Sequence, residues 1–159
     1  MKYRRLTTEE LKDLEKPFTK YLATNGIPAD DWVKIKANDT ARQEQLIEHF
    51  SDLIFDQSLE KVEYLEFRSA REIQVFNCQK DKIVLMALQM EGNSPVDFRK
   101  ANPTKENLDK IHEADASLNV YSAEKKYAKE RKQELFEMME KGCLISNKSM
   151  FEALQQLNG

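Results

Sequence analysis

The runs Lys61-Val62-Glu63-Tyr64-Leu65-Glu66-Phe67-Arg68, Glu72-Ile73-Gln74-Val75-Phe76-Asn77-Cys78 and Lys82 to Met90 decide the fold. Each is rich in β-branched and aromatic residues, and the polar breaks Ser69-Ala70 and Gln79-Lys80-Asp81 between them have hairpin length. That pattern predicts a three-stranded antiparallel meander over residues 61–90. The centre of the third run, Ile83-Val84-Leu85-Met86-Ala87-Leu88, is apolar on both faces, which assigns it the most buried position; a buried helix is the competing reading.

Outward from this sheet the apolar period becomes helical. Thr7 and Glu10 form a capping box, with Leu6 and Leu11 as the hydrophobic staple, and Leu11, Leu14, Phe18, Tyr21 and Leu22 follow at helical spacing. Pro17 must kink or break this run, and Asn25-Gly26 ends it. Pro28 to Asn38 reads as a short helix opened by Asp30 or Asp31. Thr40 to Leu59 reads as a longer one, with Leu46, Ile47, Phe50, Leu53 and Ile54 on one face and Phe55 opposite.

Residues 91–103 have no periodicity and exceed the usual connection length, so the loop is either functional or mobile. Beyond it, helices are expected from Thr104 through Leu118 and from Ser122 to Lys141, which stops at Gly142. A last helix is capped by Ser146 and stapled by Ile145 and Met150, with Met150, Phe151, Leu154 and Leu157 as its apolar face. The expected whole is one α+β domain over residues 1–159: helical at 6–59, a meander at 61–90, a loop at 91–103, and helical at 104–158.

Composition narrows the function classes. With 40% apolar and 33% charged residues the 159-residue chain is globular, and its net charge of −3 supplies no general field for nucleic acid. No apolar stretch is long enough for a membrane span or a signal core, and the two cysteines have no paired spacing. These features point to the cytoplasm, with Cys78 and Cys143 as reduced, buried thiols.

Catalytic equipment is sparse: two histidines, two cysteines, four glycines, and no phosphate-binding loop or nucleophile elbow. His112-Glu113-Ala114-Asp115 does not put ligands on one helix face, because position 116 is alanine, so no metal or cofactor is expected. His49 flanks an apolar stripe and reads as a boundary residue. Glu63, Asp81 and Lys82 are the residues from which a divalent-metal-dependent hydrolase or nuclease would be built, the alternative to a binding function.

Three features favour binding. Lys125, Lys126, Lys129 and Lys132 share about a third of the circumference of the expected helix 122–141, and Glu130, Glu134, Glu137 and Glu140 gather toward its other end. This order opposes the helix dipole, so the lysines serve either a basic contact face or salt bridges within the chain. Lys2-Tyr3-Arg4-Arg5 is a basic arm ahead of a capped helix, with Arg4 and Arg5 as its contact charges. Trp32 is either a core anchor or, with Phe55, the apolar centre of an interface.

The segments Met1-Lys2-Tyr3-Arg4-Arg5-Leu6-Thr7, Trp32 to Asn38, Phe50-Ser51-Asp52-Leu53-Ile54-Phe55-Asp56, Lys61-Val62-Glu63-Tyr64-Leu65-Glu66 and Gly142-Cys143-Leu144-Ile145-Ser146 resemble a small bacterial family of unknown function. The likeness covers most of the chain. It implies a compact cytosolic protein of about 160 residues and carries no activity to any residue. The expectation is a non-enzymatic factor that binds a protein or a protein–nucleic-acid complex, as an accessory of a larger machine such as the transcription or translation apparatus.

Overall fold

The computed structural model describes residues 1–158. Tertiary contacts divide the chain into two compact units, Met1–Glu60 and Lys61 onward.

The first unit is helical: α1 (Thr8–Asp13), α2 (Glu15–Thr24), α3 (Ala29–Asn38) and α4 (Thr40–Lys61, whose last residue opens the second unit). The capping box is present: the Glu10 N–H donates to Thr7 Oγ1 at 3.1 Å and the Thr7 N–H to Glu10 Oε1 at 2.9 Å. The break falls at Leu14, upstream of Pro17. In a continuous helix the proline ring would meet the Asp13 carbonyl; restarting at Glu15 puts Pro17 in a first turn, where its missing N–H costs nothing. Pro28 is the N-cap of α3, and Asp30 and Asp31 lie in its first turn rather than at its cap. Phe18 packs edge-on to Trp32 with ring centres 5.2 Å apart and lies 4.9 Å from Phe50. Ser51 is fully buried among these helices; it accepts the Leu6 N–H at 3.0 Å and donates to Ile47 O at 2.7 Å.

The second unit is α+β, but its sheet has five strands where the sequence pattern predicts three. β1 (Tyr64–Arg68), β2 (Glu72–Cys78) and β3 (Lys82–Glu91) form the meander. After α5 (Lys105–Glu113), β4 (Ser117–Lys126) pairs antiparallel with β3 over ten positions, from Lys82 opposite Lys126 to Glu91 opposite Ser117. After α6 (Arg131–Glu140), β5 (Leu144–Ile145) pairs with β1, and α7 (Lys148–Asn158) follows. The order is β4-β3-β2-β1-β5, so the apolar third run is flanked on both sides.

Residues 117–126 are therefore not helical. Asp115, at φ 59°, ends α5 in the left-handed region, and Gly92 lets the chain pass so closely that a Cβ there would lie 3.0 Å from Ala116 Cα. The turn delivers Ser117 to the open edge of β3, whose unpaired backbone outweighs the helix propensity of Ala123-Glu124-Lys125-Lys126. Helix α6 starts only at Arg131.

Ile73, Val75, Met86, Leu88 and Met90 project from one sheet face into a core closed by Ile111, Phe151 and Leu154. Phe98 joins this core fully buried, and its N–H donates to Ala70 O at 3.0 Å, so loop 91–103 is anchored at its middle. Arg68 holds the rest: its guanidinium donates to Phe98 O at 3.2 Å, Ala101 O at 3.1 Å and Asn102 Oδ1 at 2.9 Å. The cap of α7 is Asn147, whose Oδ1 accepts the Met150 N–H at 2.9 Å; Ser146 instead donates its hydroxyl to Glu66 at 2.7 Å. Ile145 is exposed, so the expected staple with Met150 does not form.

Candidate functional site

The four lysines of the expected basic face do not share a helix. Lys125 and Lys126 end β4, Lys129 lies in the following turn, and Lys132 is on α6. Glu134 explains part of their arrangement. Almost fully buried, it accepts the Ala128 N–H at 2.6 Å and the Lys129 N–H at 3.3 Å through Oε1, clasping the turn, with Lys125 Nζ 4.0 Å from Oε2. Lys129 donates to Glu137 at 2.6 Å, a contact that holds the Glu137 carboxyl below its ordinary pKa. With the lysines on three elements, the helix-dipole argument loses its premise. For Lys125 and Lys129 the salt-bridge alternative describes what is found.

The N-terminal arm is likewise engaged within its own unit. The backbone N–H groups of Lys2 and Tyr3 donate to Asp52 at 2.8 and 3.1 Å, and the Tyr3 hydroxyl donates to Asp56 at 2.6 Å. Arg4 donates to Glu10 at 2.8 Å and lies 4.8 Å from the centre of the Phe55 ring; Arg5 is exposed. The hydrogen bonds from the Arg4 guanidinium and the Thr7 N–H hold Glu10 down to about 2. Phe55 is partly buried against Tyr3, and Trp32 is a packing residue of the first unit with Lys36 above its ring.

The residues proposed for metal chemistry lie at one end of the sheet, on different elements. Glu63 precedes β1 and accepts the Cys78 N–H through its carbonyl; Asp81 is in the β2–β3 turn; Lys82 pairs with Glu124 at 2.7 Å. Among the described residues no three His, Cys, Asp or Glu side chains are grouped to hold a metal ion. Cys78 and Cys143 are free and buried. Cys78 has a cationic neighbour: Arg131 donates to its carbonyl at 2.9 Å. Burial still dominates and pushes the Cys78 thiol up to about 11, away from a reactive thiolate.

What stands out is the β5 edge. Leu144 and Ile145 are 68% and 66% exposed, and Phe67 on the adjoining strand is 40% exposed. Gly142, at φ 114°, leads the chain past that ring, where a Cβ would lie 3.4 Å from Phe67 Cε2. The Ser146 N–H donates to Tyr64 O at 2.9 Å, so by ladder alternation the N–H and C=O of Ile145 point away from β1. Lys141 and Lys148 stand just before and just after this segment. A two-residue strand has no period to detect, which is why sequence reading misses it. The available signal is an apolar pair between two lysines, separated by one residue from the helix-ending Gly142.

The model of the Family of unknown function (DUF6495) matches residues 1–159. The chain belongs to this family. Membership therefore spans both units and assigns no activity to any residue. No curated protein and no solved structure matches the chain. Among the described residues no helix is long and apolar enough to cross a membrane.

Proposed function

We propose that this member of the family is a non-enzymatic binding protein, an accessory factor in the cytoplasm, that holds an extended segment of another protein against β5. The carrying observation is the exposure of Leu144 and Ile145 on a strand paired on one side only. An added strand would take the outward backbone groups of Ile145, and its side chains would cover Ile145 and Phe67 on one face and Leu144 on the other. Lys141 and Lys148 favour an apolar pair with acidic flanks as the occupant. The reading moves the expected contact away from Arg4, Trp32, Phe55 and the lysines of residues 125–132. Those groups serve the fold or the charge of the surface.

A displayed random-peptide library tests this reading. The wild-type protein should enrich extended peptides with an apolar centre and acidic flanks, and L144K/I145K should lose them while its circular dichroism is unchanged. Enrichment of no such class, or equal binding by the variant, overturns the proposal.

A further inference from the structure

The opposite edge of the sheet carries a different message. β4 is an edge strand of ten residues, and Ser117-Leu118-Asn119-Val120-Tyr121-Ser122-Ala123 contains no charge, proline or glycine. Proteins that stay solitary blunt such an edge with inward charges, bulges or a covering element. Here Ser117, Asn119 and every residue from Ser122 to Lys126 are exposed, and charge appears only at the two ends. The approach to the strand is acidic, with Glu113 and Asp115; at its exit Glu124 is neutralised by Lys82 at 2.7 Å and Lys125 lies 4.0 Å from Glu134, which leaves Lys126 as the net basic charge. Among the described residues Glu113, Asp115 and Lys126 have no ion-pair partner.

We infer that β4 pairs antiparallel with β4 of a second copy of this chain, joining two five-stranded sheets about a twofold axis at Tyr121. The charge order selects this occupant and this direction. Centred on Tyr121, the pairing sets Lys125 opposite Ser117 of the second copy, and Lys126 opposite Ala116 and beside Asp115. Acidic and basic ends therefore meet twice, once at each end of the ladder. A parallel arrangement would set the basic ends together. Asn119 of each copy faces Ala123 of the other, and opposed residues share a sheet face, so each sheet keeps its packed side. This surface is separate from the β5 edge, and the inference is independent of the function proposed there.

Light scattering and sedimentation over a concentration series test the inference with the full chain. Wild type should form a species of twice the 18.6 kDa chain mass, less stable in high salt. N119K/A123K places like charges opposite each other at two symmetric points and should weaken association about tenfold. N119E/A123K converts both points to attractive pairs and should restore it. N119E/A123E repeats the repulsive test should the lysine pair not fold. Amide exchange of residues 117–126 in the wild type should slow as concentration rises. A wild type that stays at 18.6 kDa throughout overturns the inference, as does association that ignores the sign of the introduced charges, or exchange in β4 independent of concentration.

Discussion

Arg68 is the side chain whose removal should do most to the second unit without opening a cavity. Its Nε lies 2.5 Å from Glu66 Oε2, and the rest of the guanidinium satisfies Phe98 O, Ala101 O and Asn102 Oδ1. The two side chains are 18% and 13% exposed, so solvent screens the pair little. Arg68→Met keeps the stem and deletes the charge. It leaves Glu66 with the Ser146 hydroxyl as a side-chain donor and frees two carbonyls of loop 91–103. Removing one partner of a well-shielded pair costs about 3–5 kcal/mol; access of water to the exposed Asn102 end puts the expectation at about 3 kcal/mol. Urea unfolding followed by circular dichroism measures it. Amide exchange should localise part of the loss to the Phe98 N–H, which bonds Ala70 O. Glu66→Gln in the same background removes the orphaned charge, so the double variant should be less destabilised than the sum of the singles by about 1–2 kcal/mol. A single-variant loss under about 1 kcal/mol, or strict additivity, would refute the claim that this pair fastens the loop.

Ser51→Ala deprives the Leu6 N–H of its acceptor in a fully buried position and should cost about 1–3 kcal/mol, read as a lower thermal midpoint of the first unit; an unchanged midpoint counts against it. Cys78 carries a pH dependence whose sign is fixed by burial. Its thiol titrates near 9 when unfolded and is pushed to about 11 when folded, so the stabilisation is complete below pH 9 and disappears as pH rises toward 11. Cys78→Ala should therefore lose about 2–3 kcal/mol less than wild type between those limits in matched urea titrations, and identical pH profiles would contradict the assignment. At neutral pH both native thiols should react slowly with a disulfide reagent and quickly in urea.

The sequence sufficed wherever a signal was local or repeated. Thr7 and Glu10 announce a helix start because both halves of the capping box lie within one turn, and the alternation in residues 61–90 repeats often enough to identify three strands and their hairpins. Helix α7 was legible from Phe151 and Leu154, though its cap proved to be Asn147, since Ser146 is drawn away by Glu66. Pro17 signalled a break, and sterics moved it back to Leu14.

Other features depended on partners far away in the chain. Ser117 to Lys126 has an ambiguous period, and its charged second half favours a helix in isolation. It becomes a strand because β3 offers it an edge to pair with along its whole length. Lys125, Lys126, Lys129 and Lys132 were one stripe only for as long as that stretch was helical. Loop 91–103 looks unstructured from its own residues because what orders it, the Arg68 guanidinium and a pocket for Phe98, is supplied by the sheet. Local propensity and period thus determined the helices of the first unit and the meander. Strand pairing and burial, which act between residues distant in sequence, decided the fourth and fifth strands, and with them which apolar and charged groups face the solvent.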